Sequence, residues 1–384
     1  MAPQIFDVLE YLIRNRDRVV TNDDLIAAVW SGRIVSESTL SSCISAVRQV
    51  VGDSGEQQCL IRTMPRKGYR FIAQVRENSV ADDELDATAR NPVGLTSVTT
   101  SGHPKQAVTF CRTKDAINLA VASVGHGPSL VRVAHFGTNI EYDWENPLTG
   151  PLLQRLAVRF RLTRYDGRGG GLSDRNVAEI SLTTFVDDLE TVVDSLALER
   201  FVLLGMHGAA AVSIAYAVRH PHRVRKLVLY GGYAQGHDRQ GSAGAAEARK
   251  ALLNALRSGW DPGEGAVFLR AFSSLWLPSG TAEQVRWLTD LIRVSHSGEQ
   301  SERWGVAVRN IDVVDLLPKV EAPTIVFHCI RDHLVPFDEG RRLACSIPSA
   351  RFVPLDSDNH ALLSDEPAWA KFVGETEAFL ADEN

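Results

Sequence analysis

Cysteine is scarce and unpaired in this chain of 384 residues. Its five cysteines, Cys43, Cys59, Cys111, Cys329 and Cys345, are odd in number, far apart and form no C-x-x-C pair. That excludes a disulfide-built scaffold and offers no zinc-ligand spacing, so reduced, packed thiols are expected. An excess of basic charge is lacking too: 41 Lys or Arg stand against 47 Asp or Glu, a formal net charge of −6. Any nucleic-acid contact must therefore come from a local patch. No apolar leader precedes Asp7 and Glu10, so no signal peptide is expected and the cytoplasm is the expected location. One uncharged run, Phe201 to Val218, has 18 residues, barely the length of a membrane span. Its Gly-His-Gly break divides it into a buried strand, a turn and an Ala-rich helix, so no membrane association is expected.

What is present is ordinary globular composition, 44% hydrophobic and 23% charged, over a length that suits two or three domains. Residues 1–76 show helices followed by two short strands. Residues 77–106 are polar, rich in Ser, Thr, Asp, Gly and Pro, and read as a linker. From 107 to 384, β-rich runs alternate with helical patterns, which predicts a doubly wound, mostly parallel sheet. Strands are expected at Val108–Cys111, Ile117–Val124, Leu130–Ala134, Phe160–Tyr165, Phe201–Leu204, Val224–Tyr230, Thr324–His328 and Arg351–Pro354. Between about 233 and 315 the β signal stops, and helical sequence with several tryptophans predicts a cap.

In the first segment, Phe6, Leu9, Leu12 and Ile13 share a helical face, and Thr21 is placed to cap a second helix that has Asp23 and Asp24 in its first turn. A third helix after Ser36 would bury Leu40, Ile44, Val47 and Val51. Its opposite face would carry Ser38, Thr39, Ser41, Ser42, Ser45 and Arg48, small hydroxyls and a cation suited to phosphates and base edges. The run CLIRTMPRKGYRFIAQV then reads as strand, basic turn and strand, with Arg62, Arg66, Lys67 and Arg70 around the tip. This ordered set resembles the OmpR/PhoB-type winged helix (α+β). The resemblance implies a third helix in the major groove and a wing at the minor groove of double-stranded DNA. The helix begins almost at Met1, where members of that family open with a small sheet. Ten Lys or Arg against nine Asp or Glu over residues 1–78 leave the module nearly neutral, so paired half-sites in a homodimer are expected to help binding.

In the second segment, RFVLLGMHGAAAVSIAYAV resembles the nucleophile elbow of the α/β-hydrolase fold, in which a strand leads through G-x-S-x-G into a helix. Here the serine position holds His207, followed by Gly208 and Ala209. RYDGRGGGLSD resembles the family's loop after the fourth strand. The resemblance also places Asp332 at the acid position and His360 at the base position, in the family's chain order. Imidazole has no hydroxyl to surrender to a base, and an acyl-imidazole is itself reactive, so efficient hydrolysis is not expected. Ser213 falls too far past the elbow to substitute. What would survive is a pocket lined by His207, Gly208, Phe136, Gly137 and His360, with Tyr233, Trp276 and Trp304 closing over it. Its residual oxyanion-hole amides suit a small organic ligand with a carbonyl or carboxylate. Asp332 is needed to orient His360, so neither metal nor cofactor is expected. The expected function is a ligand-responsive transcriptional regulator. A slow hydrolase or lyase, and an unliganded dimerisation scaffold in which the histidines merely pack together, stay open as alternatives.

Overall fold

The computed structural model describes residues 3–30, 40, 43–45, 47–48, 53, 58–64, 67–72, 106–236 and 266–382. The chain divides into two compact units, residues 1–97 and 98–384, which differ in the origin of their cores.

In the first unit, helix α1 (Pro3–Arg14) and helix α2 (Asn22–Trp30) pack with helical residues at Leu40, Cys43–Ser45 and Val47–Arg48. Strands β1 (Ile61–Met64) and β2 (Gly68–Phe71) form an antiparallel hairpin, extended by a bridge between Val20 and Tyr69. Thr21 and Asp24 exchange hydrogen bonds across the start of α2, 3.1 Å from the Asp24 amide to the Thr21 hydroxyl and 3.0 Å in return. Val8, Leu12, Leu25, Leu40, Ile44, Val47, Ile61 and Phe71 make the core. The Asp53 carboxylate accepts the amides of Cys59, Leu60 and Ile61, fixing the entry to the hairpin.

The second unit is one eight-stranded sheet. Its strands are β3 (Ala107–Arg112), β4 (Asn118–Val124), β5 (Ser129–Arg132), β6 (Arg161–Tyr165), β7 (Phe201–Met206), β8 (Val224–Tyr230), β9 (Thr324–Cys329) and β10 (Arg351–Leu355). The order is β10-β9-β8-β7-β5-β6-β4-β3, and β4 alone opposes its neighbours. Helices α3 (Tyr142–Glu145), α4 (Gly150–Arg159), α5 (Leu182–Ser195) and α6 (Ala209–Arg219) precede the cap. The cap helices are α7 (Ala266–Trp276), α8 (Ala282–Ser295) and α9 (Gly298–Arg309), followed by α10 (Phe337–Ser346) and α11 (Pro367–Ala381).

Strand β7 shows why the layers form. All six of its residues are buried, the pattern of a strand covered on both faces. Phe201 and Leu203 join the core under α5 and α6, while Val202 and Leu204 join the core under α4 and α11. This is the two-residue period of a pleated strand. The sheet order reverses between β5 and β7, and in such sheets the crevice beyond the strand C-termini at that point receives ligands.

Candidate functional site

The turn from β7 into α6 carries His207 at φ +54°, left-handed backbone that is uncommon for a residue with a side chain. Gly205, two residues earlier, permits it: a Cβ there would lie 2.4 Å from the Ser213 hydroxyl and 2.9 Å from the Ala209 carbonyl. The Ser213 hydroxyl is buried and donates to that carbonyl at 2.8 Å, so it takes no part in the site. The His207 amide donates to the Tyr230 carbonyl at 2.8 Å, tying the turn to β8.

Across from His207, the ring of His360 lies 4.2 Å away between centroids. The loop after β10 holds His360: its amide donates to the Trp276 carbonyl and its carbonyl accepts from the Tyr230 hydroxyl, both at 2.8 Å. His360 Nδ1 is 2.6 Å from Asp332 Oδ2, and the other Asp332 oxygen accepts the amides of Leu334 and Val335 at 2.8 and 2.9 Å. Burial works against the Asp332 charge, yet His360 and these amides hold its pKa below the ordinary carboxylate value. His360 and Asp332, the positions that the resemblance gives to base and acid, are thus bonded to each other beside His207.

His207 is enclosed by rings, with centroids of Trp276 at 4.9 Å, His135 at 5.1 Å and Tyr230 at 5.6 Å. Burial, and then the neighbouring His360 and His135, push its pKa well below the usual histidine value, so it is neutral. Its Nδ1 is buried and has no hydrogen-bond partner among the described residues. A cavity of about 330 Å³ lies to one side, with His207, Gly208, Tyr233, Trp276, Trp304 and His360 among its walls. A smaller one of about 60 Å³ lies to the other, reached by Arg132, His135, Gly137 and Thr149. Phe136 borders both.

Two histidines that the sequence reading left without a role shape this region. His135 stands just past β5; Arg132 Nη2 lies 2.9 Å from its Nε2, and its Nδ1 lies 2.7 Å from the Phe136 carbonyl. Burial and the Arg132 charge push its pKa down to about 3. His296, at the end of α8, lies with Nε2 3.2 Å from the Gly137 amide and Nδ1 3.3 Å from the Gly169 carbonyl, and its ring stacks on Phe136 at 5.0 Å. Burial takes its pKa down to about 4. The expectation that the Gly137 amide lines an open oxyanion hole is thus corrected: a cap histidine already accepts it. A histidine following a strand was a signal for His135, whereas nothing local marks His296. Trp304 borders the cavity, but its indole donates to the Arg168 carbonyl at 3.0 Å, so it is a fixed wall. Among the described residues, no group of three His, Cys, Asp or Glu could hold a metal ion.

The three neutral imidazoles fix a pH response. In the unfolded chain a histidine binds its proton near pH 6.5, while His135, His207 and His296 refuse it when folded. Below about pH 6.5 the unfolded state therefore holds more protons, and stability falls as pH drops toward 4. Each such histidine contributes up to about 1.4 kcal/mol per pH unit. Urea denaturation between about pH 7.5 and 5.5, one unit to either side of that pKa, is expected to show this loss. The variant His296→Gln, whose amide can replace both bonds of the ring, is expected to make the slope shallower by one proton.

In the first unit the third helix brings one further correction. Arg48 was expected on the outward face. It lies four residues after Ile44, one helical turn, and so shares the inward stripe. It is buried, and its guanidinium donates to the Ile61 carbonyl at 2.9 Å and the Thr63 hydroxyl at 2.8 Å, pinning the helix to the hairpin. Ser45, Arg62, Lys67 and Arg70 are exposed. Ser38, Thr39, Ser41, Ser42 and Arg66 lie outside the described residues.

Comparison with known proteins gives two family matches: "transcriptional regulatory protein, C terminal" over residues 1–71 and "alpha/beta hydrolase fold" over residues 135–367. Among curated relatives, the AB hydrolase superfamily protein YisY of Bacillus subtilis is 26% identical over 67% of this chain and 94% of its own length. The pyrrolizixenacetamide deacetylase of Xenorhabdus hominickii is 25% identical over 62% of this chain and 86% of its own. Among solved structures, a hydrolase from Pseudomonas aeruginosa superposes with TM-score 0.60 at 23% identity, covering 72% of this chain and 98% of that one. An esterase from Exiguobacterium antarcticum gives 0.61 at 22%, covering 71% and 99%. These structures share the fold.

Proposed function

We propose that this chain, which belongs to the alpha/beta hydrolase fold family and carries a DNA-binding regulator domain ahead of that fold, is a transcriptional regulator whose hydrolase-fold domain holds a small organic ligand without efficient turnover. The observation that carries the reading is His207: a neutral, enclosed imidazole stands on left-handed backbone in the turn from β7 into α6, where the resemblance to the family expects a serine. Triad members act as a unit, and removing the nucleophile costs several orders of magnitude in rate. The adjoining cavity of about 330 Å³ is walled by Phe185, Val212, Phe272 and Val308, the apolar surroundings of a small-molecule site. Ligand binding would favour one arrangement of a homodimer and so set the spacing of its DNA half-sites. Among the described residues no helix is long and apolar enough to cross a membrane.

For DNA binding we assign phosphate contacts to Arg62, Arg66, Lys67 and Arg70 around the hairpin, and base-edge contacts to Ser38, Thr39, Ser41, Ser42 and Ser45. Arg48, engaged by the hairpin, supports the helix instead. Lys67→Ala is expected to weaken binding to all sequences alike and to lower the slope of log affinity against log salt by about one, read by fluorescence anisotropy at several salt concentrations. The regulatory reading is tested by screening small carbonyl compounds for thermal shift and repeating the DNA titration with each hit. A ligand that binds and leaves DNA affinity and transcription unchanged overturns it.

One observation favours a second reading. The intact His360–Asp332 pair, 2.6 Å apart, suits slow hydrolysis through His207. On that reading wild type cleaves activated esters, and both His207→Ala and His360→Ala abolish the cleavage.

A further inference from the structure

We infer that the cavity beside His207 and His360 recognises a neutral ligand that bears a carbonyl oxygen next to a hydroxyl or amide N–H, as in an α-hydroxy ketone. The inference rests on the ligand-binding reading above and specifies the chemistry of the guest.

The two rings have four nitrogens, and the surroundings fix the proton on each ring. His360 Nδ1 lies 2.6 Å from the Asp332 carboxylate, so it carries the proton and leaves a lone pair on Nε2. His207 Nδ1 is buried and faces no partner among the described residues. An orphaned buried N–H is rarer than an under-satisfied acceptor, which places the His207 proton on Nε2. Gly231 keeps this packing: a Cβ there would lie 3.3 Å from His360 Cε1 and 3.4 Å from His207 Nδ1. Both residues line the 330 Å³ cavity, and the two Nε2 atoms are the ring nitrogens left to it. The cavity's polar end thus offers one donor, His207 Nε2–H, beside one acceptor, His360 Nε2, on rings 4.2 Å apart.

That pair discriminates. A carbonyl next to a hydroxyl satisfies both, with the oxygen accepting from His207 and the hydroxyl donating to His360. A ketone alone accepts from His207 and leaves the His360 lone pair without a donor. A carboxylate is acceptor-only, so one of its oxygens would meet the His360 lone pair. Phe185, Val212, Phe272 and Val308 provide walls for an alkyl or aryl body.

The test uses the full chain and three probes with the same ten-carbon skeleton: an α-hydroxy ketone, the methyl ketone and the fatty acid. Calorimetry is expected to show the α-hydroxy ketone binding at least about tenfold tighter than the ketone, the equivalent of one hydrogen bond, and tighter than the fatty acid. In His207→Phe, which keeps a ring but loses the donor, that preference is expected to vanish. Equal affinities, a preference for the fatty acid, or no binding by any probe overturns the inference. A second measurement is independent of binding: nitrogen NMR of labelled histidines is expected to find the proton on Nε2 of His207 and on Nδ1 of His360. The reverse pair of tautomers also overturns it. Should the α-hydroxy ketone bind with this preference and DNA affinity stay constant, the regulatory reading fails and this one stands. Should the fatty acid bind best and change DNA affinity, the outcome is the opposite.

Discussion

His207→Ser is expected to raise the kcat/KM of the full chain for a short-chain nitrophenyl ester by about 10²-fold or more over wild type. His360 and Asp332, which we propose as base and orienting acid, are already paired at 2.6 Å, and the turn already holds left-handed backbone, at φ +54°, of the kind that presents a nucleophile. Serine would therefore complete a proton-transfer pair that imidazole cannot form. The gain should stop short of the roughly 10⁴- to 10⁶-fold that separates intact from broken triads. The reason is the second half of the oxyanion hole. The amide of Gly208, at the start of α6, has no intrahelical acceptor, but the Gly137 amide is held by His296 at 3.2 Å. Losing one such donor costs about 10²- to 10³-fold. Adding His296→Phe, which keeps the stack on Phe136 but accepts no hydrogen bond, is expected to raise the rate by about a further 10²-fold. His360→Ala in either background should return it to the wild-type level. A folded His207→Ser variant with no gain would show that the elbow is not poised for chemistry.

Asp188→Ala is expected to destabilise the hydrolase-fold unit by about 3–5 kcal/mol, because the buried Arg168 loses its buried partner and keeps only the half-exposed Asp115. Arg168 follows β6, and its guanidinium grips Asp188 through Nε at 2.9 Å and Nη2 at 2.6 Å, with both side chains almost fully buried. The Arg168 carbonyl also receives the Trp304 indole, so this pair anchors a wall of the cavity as well as the loop. Against a total stability of roughly 5–15 kcal/mol, such a loss is a fifth or more. Asp115 also reaches Arg168, at 2.8 Å, but its side chain is 53% exposed. Asp115→Ala should therefore cost under about 1 kcal/mol. Urea midpoints of the two variants decide the matter, and equal losses would contradict the account.

Much of this architecture could be read directly from the residues. β8 runs over Val224–Tyr230 as expected, because its apolar run Leu227–Tyr230 ends at the Gly231-Gly232 turn signal. β7 was expected to end at Leu204 and continues to Met206, since the glycine that suggests a turn is there to let α6 pack closely. His207, Asp332 and His360 were singled out by the resemblance to the α/β-hydrolase fold, and the folded chain brings them together. Arg48 was misplaced because its charge was taken as the mark of an outward face, although it lies one turn after Ile44 and the Ile61 carbonyl of the hairpin accepts its guanidinium. His296 was missed for a related reason. Its contact with Gly137 joins residues 159 positions apart, and only the docking of the cap onto the loop after β5 brings them into reach. The cluster of Arg132, His135 and Asp143 was equally hidden, because a buried ion pair at 2.8 Å leaves no periodic mark on the sequence.

The most direct test is to incubate purified, unmodified protein with a bound carbonyl compound and follow the compound by mass spectrometry over many hours. An imidazole at the elbow predicts that it is recovered chemically intact, in proportion to the protein present. Product accumulating well beyond one equivalent of protein would mean that the cavity cleaves what it holds.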